Sequence, residues 1–263
     1  MYMKKARLLL ILTMLAMLQL HGQHDTNFFH SREFRQGENV LQYRILYPEG
    51  YKKGDKKKYP LVIFLHGRGE SGSDNESQLK YGSSLFLNPE NRQKYPAIVI
   101  FPQCPDDDSW ATYTIDAATG KFSIPFNPKQ THASSMVQSL IKYYLKSGSV
   151  DAKRVYIMGL SMGGMGTLDL VVRNPKMFAA AVSICGAIEP ARLRKLKKMP
   201  IRLYHGADDS VVPVSFSRDA FYELKAAGSS VVEITEYPGV GHNSWDSAFG
   251  SGDFLEWLFS FKR

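Results

Sequence analysis

A serine flanked by a glycine two residues away on each side, Gly159-Leu160-Ser161-Met162-Gly163, is the stretch of this 263-residue chain that most directly implies chemistry. A serine hydroxyl is a weak nucleophile at neutral pH. It needs a base within hydrogen-bond reach, and the base needs an acid to fix its tautomer. The paired glycines permit a tight strand-to-helix turn with strained backbone, which lifts the hydroxyl out of a sheet and onto a helix N-terminus. A glycine-rich turn without chemistry would explain the glycines. It would not explain the apolar β pattern RVYIM directly before them and the helical pattern MGTLDLVVR directly after.

A base and an acid are then expected at the ends of later strands. Pro238-Gly239-Val240-Gly241-His242 follows the last apolar strand pattern, and its two glycines make a turn able to present His242 towards Ser161. The other six histidines fit less well: His21, His24 and His30 lie in or near the N-terminal leader, and His132 lies in a long excursion. His66 and His205 end strands and read as packed structural residues. For the acid, His205-Gly206-Ala207-Asp208-Asp209 offers two adjacent carboxylates, and the residues alone do not separate them. Acyl transfer also requires donors for a developing oxyanion. Leu65-His66-Gly67-Arg68-Gly69 follows the first buried strand pattern, so the main-chain N–H of Arg68 and that of Met162, next after the serine, are the expected pair.

Two rival chemistries are weaker. Neither Cys104 nor Cys185 has an elbow or an adjacent base, so both read as buried thiols. No closely spaced His or Cys pair converges as metal ligands do, and no metal or cofactor is expected.

The elements that must position these residues are legible as period and run length. Continuous apolar runs at 61–65, 97–101, 154–158, 179–184, 201–205 and 231–237 read as strands buried on both faces. Helical patterns lie at 136–146, 165–173 (ending at Asn174-Pro175), 218–228 and 254–262. The alternating segment 39–48 reads as an antiparallel leading strand. Alternating strands and helices predict α/β architecture, a mostly parallel twisted sheet with helices on both faces. The 15 residues from Gly186 to Pro200 leave no room for a large lid domain. The longer excursion from Gln103 to His132, with Trp110 and a turn at Ala118-Thr119-Gly120, is expected as a loop or hairpin over the site.

Composition sets the outer bounds. With 44% hydrophobic and 22% charged residues the chain can bury one sizeable core and is not a disordered sequence. Lys4, Lys5 and Arg7 precede an apolar run of 13 residues, Leu8 to Leu20, followed by Gly22. This is the layout of a cleaved secretory leader over 1–22, too short for the roughly 20 residues of a membrane span. The remaining 23–263 would form a single domain, periplasmic or secreted. Losing the three basic residues takes the formal charge from +8 to +5. The excess sits in Lys52–Lys58 and Arg192–Lys198, where no aromatics are interleaved, so no nucleic-acid partner is expected.

Together LHGRGESG, FPQCP with a following Trp, VYIMGLSMGG, HGADDSVVP and GVGHNSW resemble the esterases of the α/β-hydrolase superfamily. The likeness runs from about Leu41 to the C-terminus. It is strongest to exported carboxylesterases, phospholipases and predicted peptidases, which are similar to feruloyl and acetyl-xylan esterases and polyhydroxybutyrate depolymerases. The resemblance implies the α/β-hydrolase fold, Ser161 as nucleophile, His242 as base and, of the two aspartates, Asp209 as the acid. A disulfide between Cys104 and Cys185 would need Cα atoms within about 7 Å, which the ends of strands separated by two others in the usual hydrolase order do not allow. Cys185-Gly186-Ala187 departs from relatives that continue with further glycines, which bears on pocket shape. The expected partner is an ester substrate, with acetyl or feruloyl esters on plant polysaccharides first. Two alternatives are a peptidase using the same residues and a silent carbohydrate- or lipid-binding protein on the same scaffold.

Overall fold

A computed structural model describes residues 26–263 except 117, 120 and 121; the expected leader at 1–22 lies outside the described residues. In chain order the elements are β1 (His30–Gln36), β2 (Asn39–Leu46), β3 (Tyr59–Leu65), α1 (Ser83–Leu87), α2 (Pro89–Lys94), β4 (Ile98–Pro102), β5 (Thr114–Ile115), β6 (Phe122–Ser123), α3 (His132–Lys146), β7 (Val150–Leu160), α4 (Met162–Arg173), β8 (Ala180–Ile184), β9 (Ile201–Gly206), α5 (Ser215–Ala226), β10 (Val232–Tyr237), α6 (Trp245–Phe249) and α7 (Phe254–Ser260). Eight strands form one sheet in the order β1-β2-β4-β3-β7-β8-β9-β10. The pairs β1/β2 and β2/β4 are antiparallel and the rest parallel. This is the α/β-hydrolase fold.

The continuous apolar runs become the inner strands because both of their faces are covered. Along β3, Leu61, Ile63 and Leu65 point into one core, which receives Val137 and Ile141 of α3, Leu168 and Val171 of α4 and Leu224 of α5. Val62 and Phe64 point the other way, into a second core closed by Phe86 of α1 and Phe254 and Leu258 of α7. Helix α3 starts four residues before its expected first position. Thr131 caps it, its hydroxyl accepting the Ser134 amide at 3.3 Å. Helix α4 ends at Arg173, directly before Asn174-Pro175.

Three elements differ from or add to the sequence reading. Strand β1, HSREFRQ, has no buried residue, and the register His30↔Ile45 through Gln36↔Asn39 holds it on β2. The short helices α1 and α2 fill the connection between β3 and β4. The excursion after β4 does form a hairpin, β5/β6, but Trp110 is not part of a cover over the site. It is fully buried, its Nε1 donating to His66 O at 3.1 Å and its Cβ packed where Gly166 of α4 has no side chain. Among the described residues no helix is long and apolar enough to cross a membrane.

Candidate active site

The carboxyl ends of β3, β7, β8, β9 and β10 lie side by side, with Leu65 opposite Gly159, Leu160 opposite Ile184, Ile184 opposite Tyr204 and Gly206 opposite Tyr237. Every expected site residue follows one of these ends. Ser161 directly follows β7 and adopts φ 53°, ψ −119°, a left-handed conformation that costs a non-glycine residue about 1–3 kcal/mol. It is held there by its own amide, which donates to Ile184 O at 2.8 Å, and by α4 behind it. The neighbouring glycines are required by contact. A Cβ on Gly163 would lie 1.9 Å from Leu65 O, and one on Gly159 would lie 2.4 Å from Gly163 O.

The hydroxyl of Ser161 is 2.9 Å from His242 Nε2. On the far side of the ring, Nδ1 donates to Asp209 Oδ2 at 2.7 Å. Asp209 Oδ1 accepts the amides of Val211 and Val212, both at 2.9 Å. Of the two aspartates left open by the residues, Asp208 is exposed, while the Asp209 carboxylate is buried. The loops carrying Asp209 and His242 meet main chain to main chain. The Asp208 amide donates to Val240 O at 3.0 Å, and a Cβ on Gly206 would lie 2.1 Å from Gly241 O. Burial alone would push the Asp209 carboxyl up, but hydrogen bonds from His205, His242 and the Val212 amide outweigh it and hold the group well below the usual carboxylate range. Trp245 of α6 stands edge-on to the His242 ring at 5.6 Å.

Arg68 and Met162 each occupy the first position of a helical turn, after Gly67 and Ser161 respectively. An amide there has no carbonyl one turn earlier to donate to. A Cβ on Gly67 would lie 3.7 Å from Ser161 Cβ, so the Arg68 loop passes directly beside the serine. The Arg68 side chain braces this loop: Nη1 donates to Asp108 O at 2.7 Å, and the guanidinium reaches the Tyr113 hydroxyl at 3.3 Å. Glu70, in the same turn, is buried, and burial raises its carboxyl pKa.

His66 supports the loop from below. Its Nδ1 donates to Gly67 O at 2.6 Å and its Nε2 accepts the Cys104 amide at 2.9 Å, which fixes a neutral tautomer. Burial, the largest influence, lowers its pKa from 6.5 to about 4. The unfolded chain therefore takes up a proton near pH 6.5 that the folded chain refuses until about pH 4. This contribution to stability is fully present above pH 6.5 and lost as pH falls to 4, an effect on the order of 3 kcal/mol. Urea midpoints measured between pH 7 and 4.5 should fall more steeply for the natural chain than for His66→Gln. Parallel curves would show that His66 does not cause the loss.

Both cysteines are free and buried. They follow β4 and β8, with β3 and β7 between them, and burial pushes each thiol up to about 12. Cys185, at φ 41°, places its sulfur within 4.8 Å of the ligand-type atoms of Asp209 and His242. A buried thiol that keeps its proton, beside an imidazole whose Nδ1 donates to Asp209, is not the deprotonated donor set that a metal ion requires. The sequence reading missed the contact between His205 and Asp209. Its one trace in the sequence is the spacing of four residues between them at the end of a strand.

Similarity to known proteins agrees with this architecture. Carboxylesterase SOBER1 of Arabidopsis thaliana is 29% identical over 201 residues, 70% of this chain and 83% of its own. A crystal structure of a thermostable esterase superposes with a TM-score of 0.80 at 34% identity, over 90% of this chain; the match spans 64% of the esterase chain. A ferulic acid esterase from Anaeromyces mucronatus shares the fold, with a TM-score of 0.64 at 20% identity over 87% of this chain and 89% of its own. The Phospholipase/Carboxylesterase family matches residues 51–255, most of the chain from β3 to the start of α7. The chain belongs to this phospholipase/carboxylesterase family of ester hydrolases.

Proposed function

We propose that the protein is an exported serine esterase that cleaves carboxylic esters through an acyl-enzyme on Ser161. The observation that carries this reading is the continuous relay from Ser161 Oγ to His242 Nε2 at 2.9 Å and from His242 Nδ1 to Asp209 at 2.7 Å, mounted on a strained turn. Ser161 Oγ attacks the ester carbonyl as His242 Nε2 takes its proton. The oxyanion rests on the Arg68 and Met162 amides. Collapse breaks the bond to the leaving oxygen, which receives the proton from His242 as the alcohol departs. Water then attacks the acyl-enzyme with His242 again as base, releasing the acid and restoring the hydroxyl.

An apolar patch flanks the relay and suits a short or aromatic acyl group. Met165, Ala187 and Val212 form its floor, and Tyr113, Phe122 and Phe216 its half-buried wall, with Tyr113 and Phe122 stacked at 5.4 Å. Acetyl and feruloyl esters on plant polysaccharides fit this patch and the absence of a large inserted domain between β8 and β9. Export is supported by the basic and apolar residues of 4–20.

A fluorophosphonate probe should label one residue per chain, Ser161, and labelling should abolish hydrolysis of acetyl, butyryl and feruloyl esters together. A label elsewhere, or hydrolysis that survives full labelling, would remove Ser161 from the nucleophile role. A panel in which long acyl chains outrun acetyl and feruloyl esters would move the substrate class.

A further inference from the structure

His205, the penultimate residue of β9, is fully buried and makes contacts that go beyond packing. Its Nε2 lies 2.9 Å from Val212 O and 3.2 Å from Asp209 Oδ2, and its Nδ1 lies 2.7 Å from Ser217 Oγ on α5. Val212 O and the Asp209 carboxylate carry no hydrogen, so Nε2 carries the proton and the Ser217 hydroxyl donates to Nδ1. Asp209 Oδ2 is the same oxygen that accepts from His242. Three donors, the two loop amides on Oδ1 and His242 on Oδ2, hydrogen-bond this carboxylate, and the His205 Nε2–H, bonded to Val212 O, stands against Oδ2 at 3.2 Å.

We infer that His205 is a positioning residue for the proton relay: from a fixed strand end, its Nε2–H pins the Asp209 loop through Val212 O and stands against Asp209 Oδ2, keeping that oxygen at the place where His242 must meet it. The inference rests on the triad reading given above. The carboxylate torsion of an aspartate is broad and roughly two-fold. The amides of Val211 and Val212 belong to the same loop as Asp209 and hold only Oδ1, so they move with it. His205 supplies the second fixed point, on an element that does not belong to the loop. The charged groups around its ring are Asp209, with His242 beyond it, and Glu236 opposite on β10, whose carboxylate is paired with Arg218 at 2.6 Å. Removing the His205 donor leaves more of the Asp209 charge facing His242, which favours the imidazolium. The acidic limb of the rate profile should therefore move to higher pH.

The test compares His205→Met, which cannot donate, with His205→Gln, whose amide N–H reaches a similar place. Both are measured by ester hydrolysis across pH beside Ser161→Ala, with a thermal melt of each. His205→Met should lose on the order of 10- to 100-fold in kcat with KM within about twofold, and its acidic limb should rise by about half a pH unit or more. His205→Gln should recover to within about threefold of the natural chain. Equal losses in Met and Gln variants, or a Met variant with kcat and pH profile unchanged, would overturn the inference. Should the Met variant not fold, His205→Asn takes its place, because its amide stands where Nδ1 meets Ser217 and falls short of the Nε2 position; an unchanged kcat and pH profile there would overturn the inference equally. Activity retained by Ser161→Ala would instead sink the triad reading itself.

Discussion

Ser161→Ala is expected to lower kcat for ester hydrolysis by roughly 10⁴- to 10⁶-fold while leaving the fold in place. The side chain's polar contact is with His242, and alanine bears the φ of 53° no worse than serine, so the melting temperature should shift little. The residual rate would come from the Arg68 and Met162 amides and from substrate binding, which remain. Because nucleophile and base act as one unit, adding His242→Ala should cost little more than either change alone. Steady-state kinetics on one activated ester decides this, and a loss smaller than about 100-fold would point to another nucleophile.

The second large effect separates the neighbouring aspartates. Asp209→Asn should cost roughly 10⁴-fold in kcat with the backbone unchanged, by the same tautomer logic as in the serine proteases. An asparagine oxygen can still accept from Val211 and Val212, but its NH₂ would then face His242 Nδ1 and His205 Nε2, both of them donors. The His242 ring answers by moving its proton to Nε2, where it confronts Ser161 and cannot accept. Asp208→Asn, on an exposed side chain whose residue is held through its main-chain amide, should stay within about twofold. Kinetics of the two variants side by side would check this, and a larger loss at position 208 would reverse the assignment.

How much of this was legible in the sequence depended on which forces wrote it. Ser161 stands out because a strained elbow demands glycines at 159 and 163, and His242 because it follows the last strand run through a glycine turn. The inner strands were legible because burial on both faces requires unbroken apolar runs such as Leu61–Leu65. Strand β1 was not, since HSREFRQ is solvent-facing and its pairing with β2 alone makes it a strand. Asp209 needed the resemblance to relatives, because a buried and an exposed aspartate side by side look alike in one dimension. Trp110 was read into a loop over the site, because its partner, His66 O, comes from another part of the fold; His205 was legible as a packed residue, but nothing in one dimension shows that its ring turns back onto Asp209 four residues on.

The missing side chain at Gly206 lets the Asp209 loop and the His242 loop touch main chain to main chain, and the Asp208 amide ties them again through Val240 O. Ser161 stands on a separate corner, where β7 turns into α4, and meets the pair across the 2.9 Å contact with His242. A residue larger than glycine at 206 would therefore wedge the two loops apart and part the aspartate from the imidazole, while the serine kept its place on the elbow.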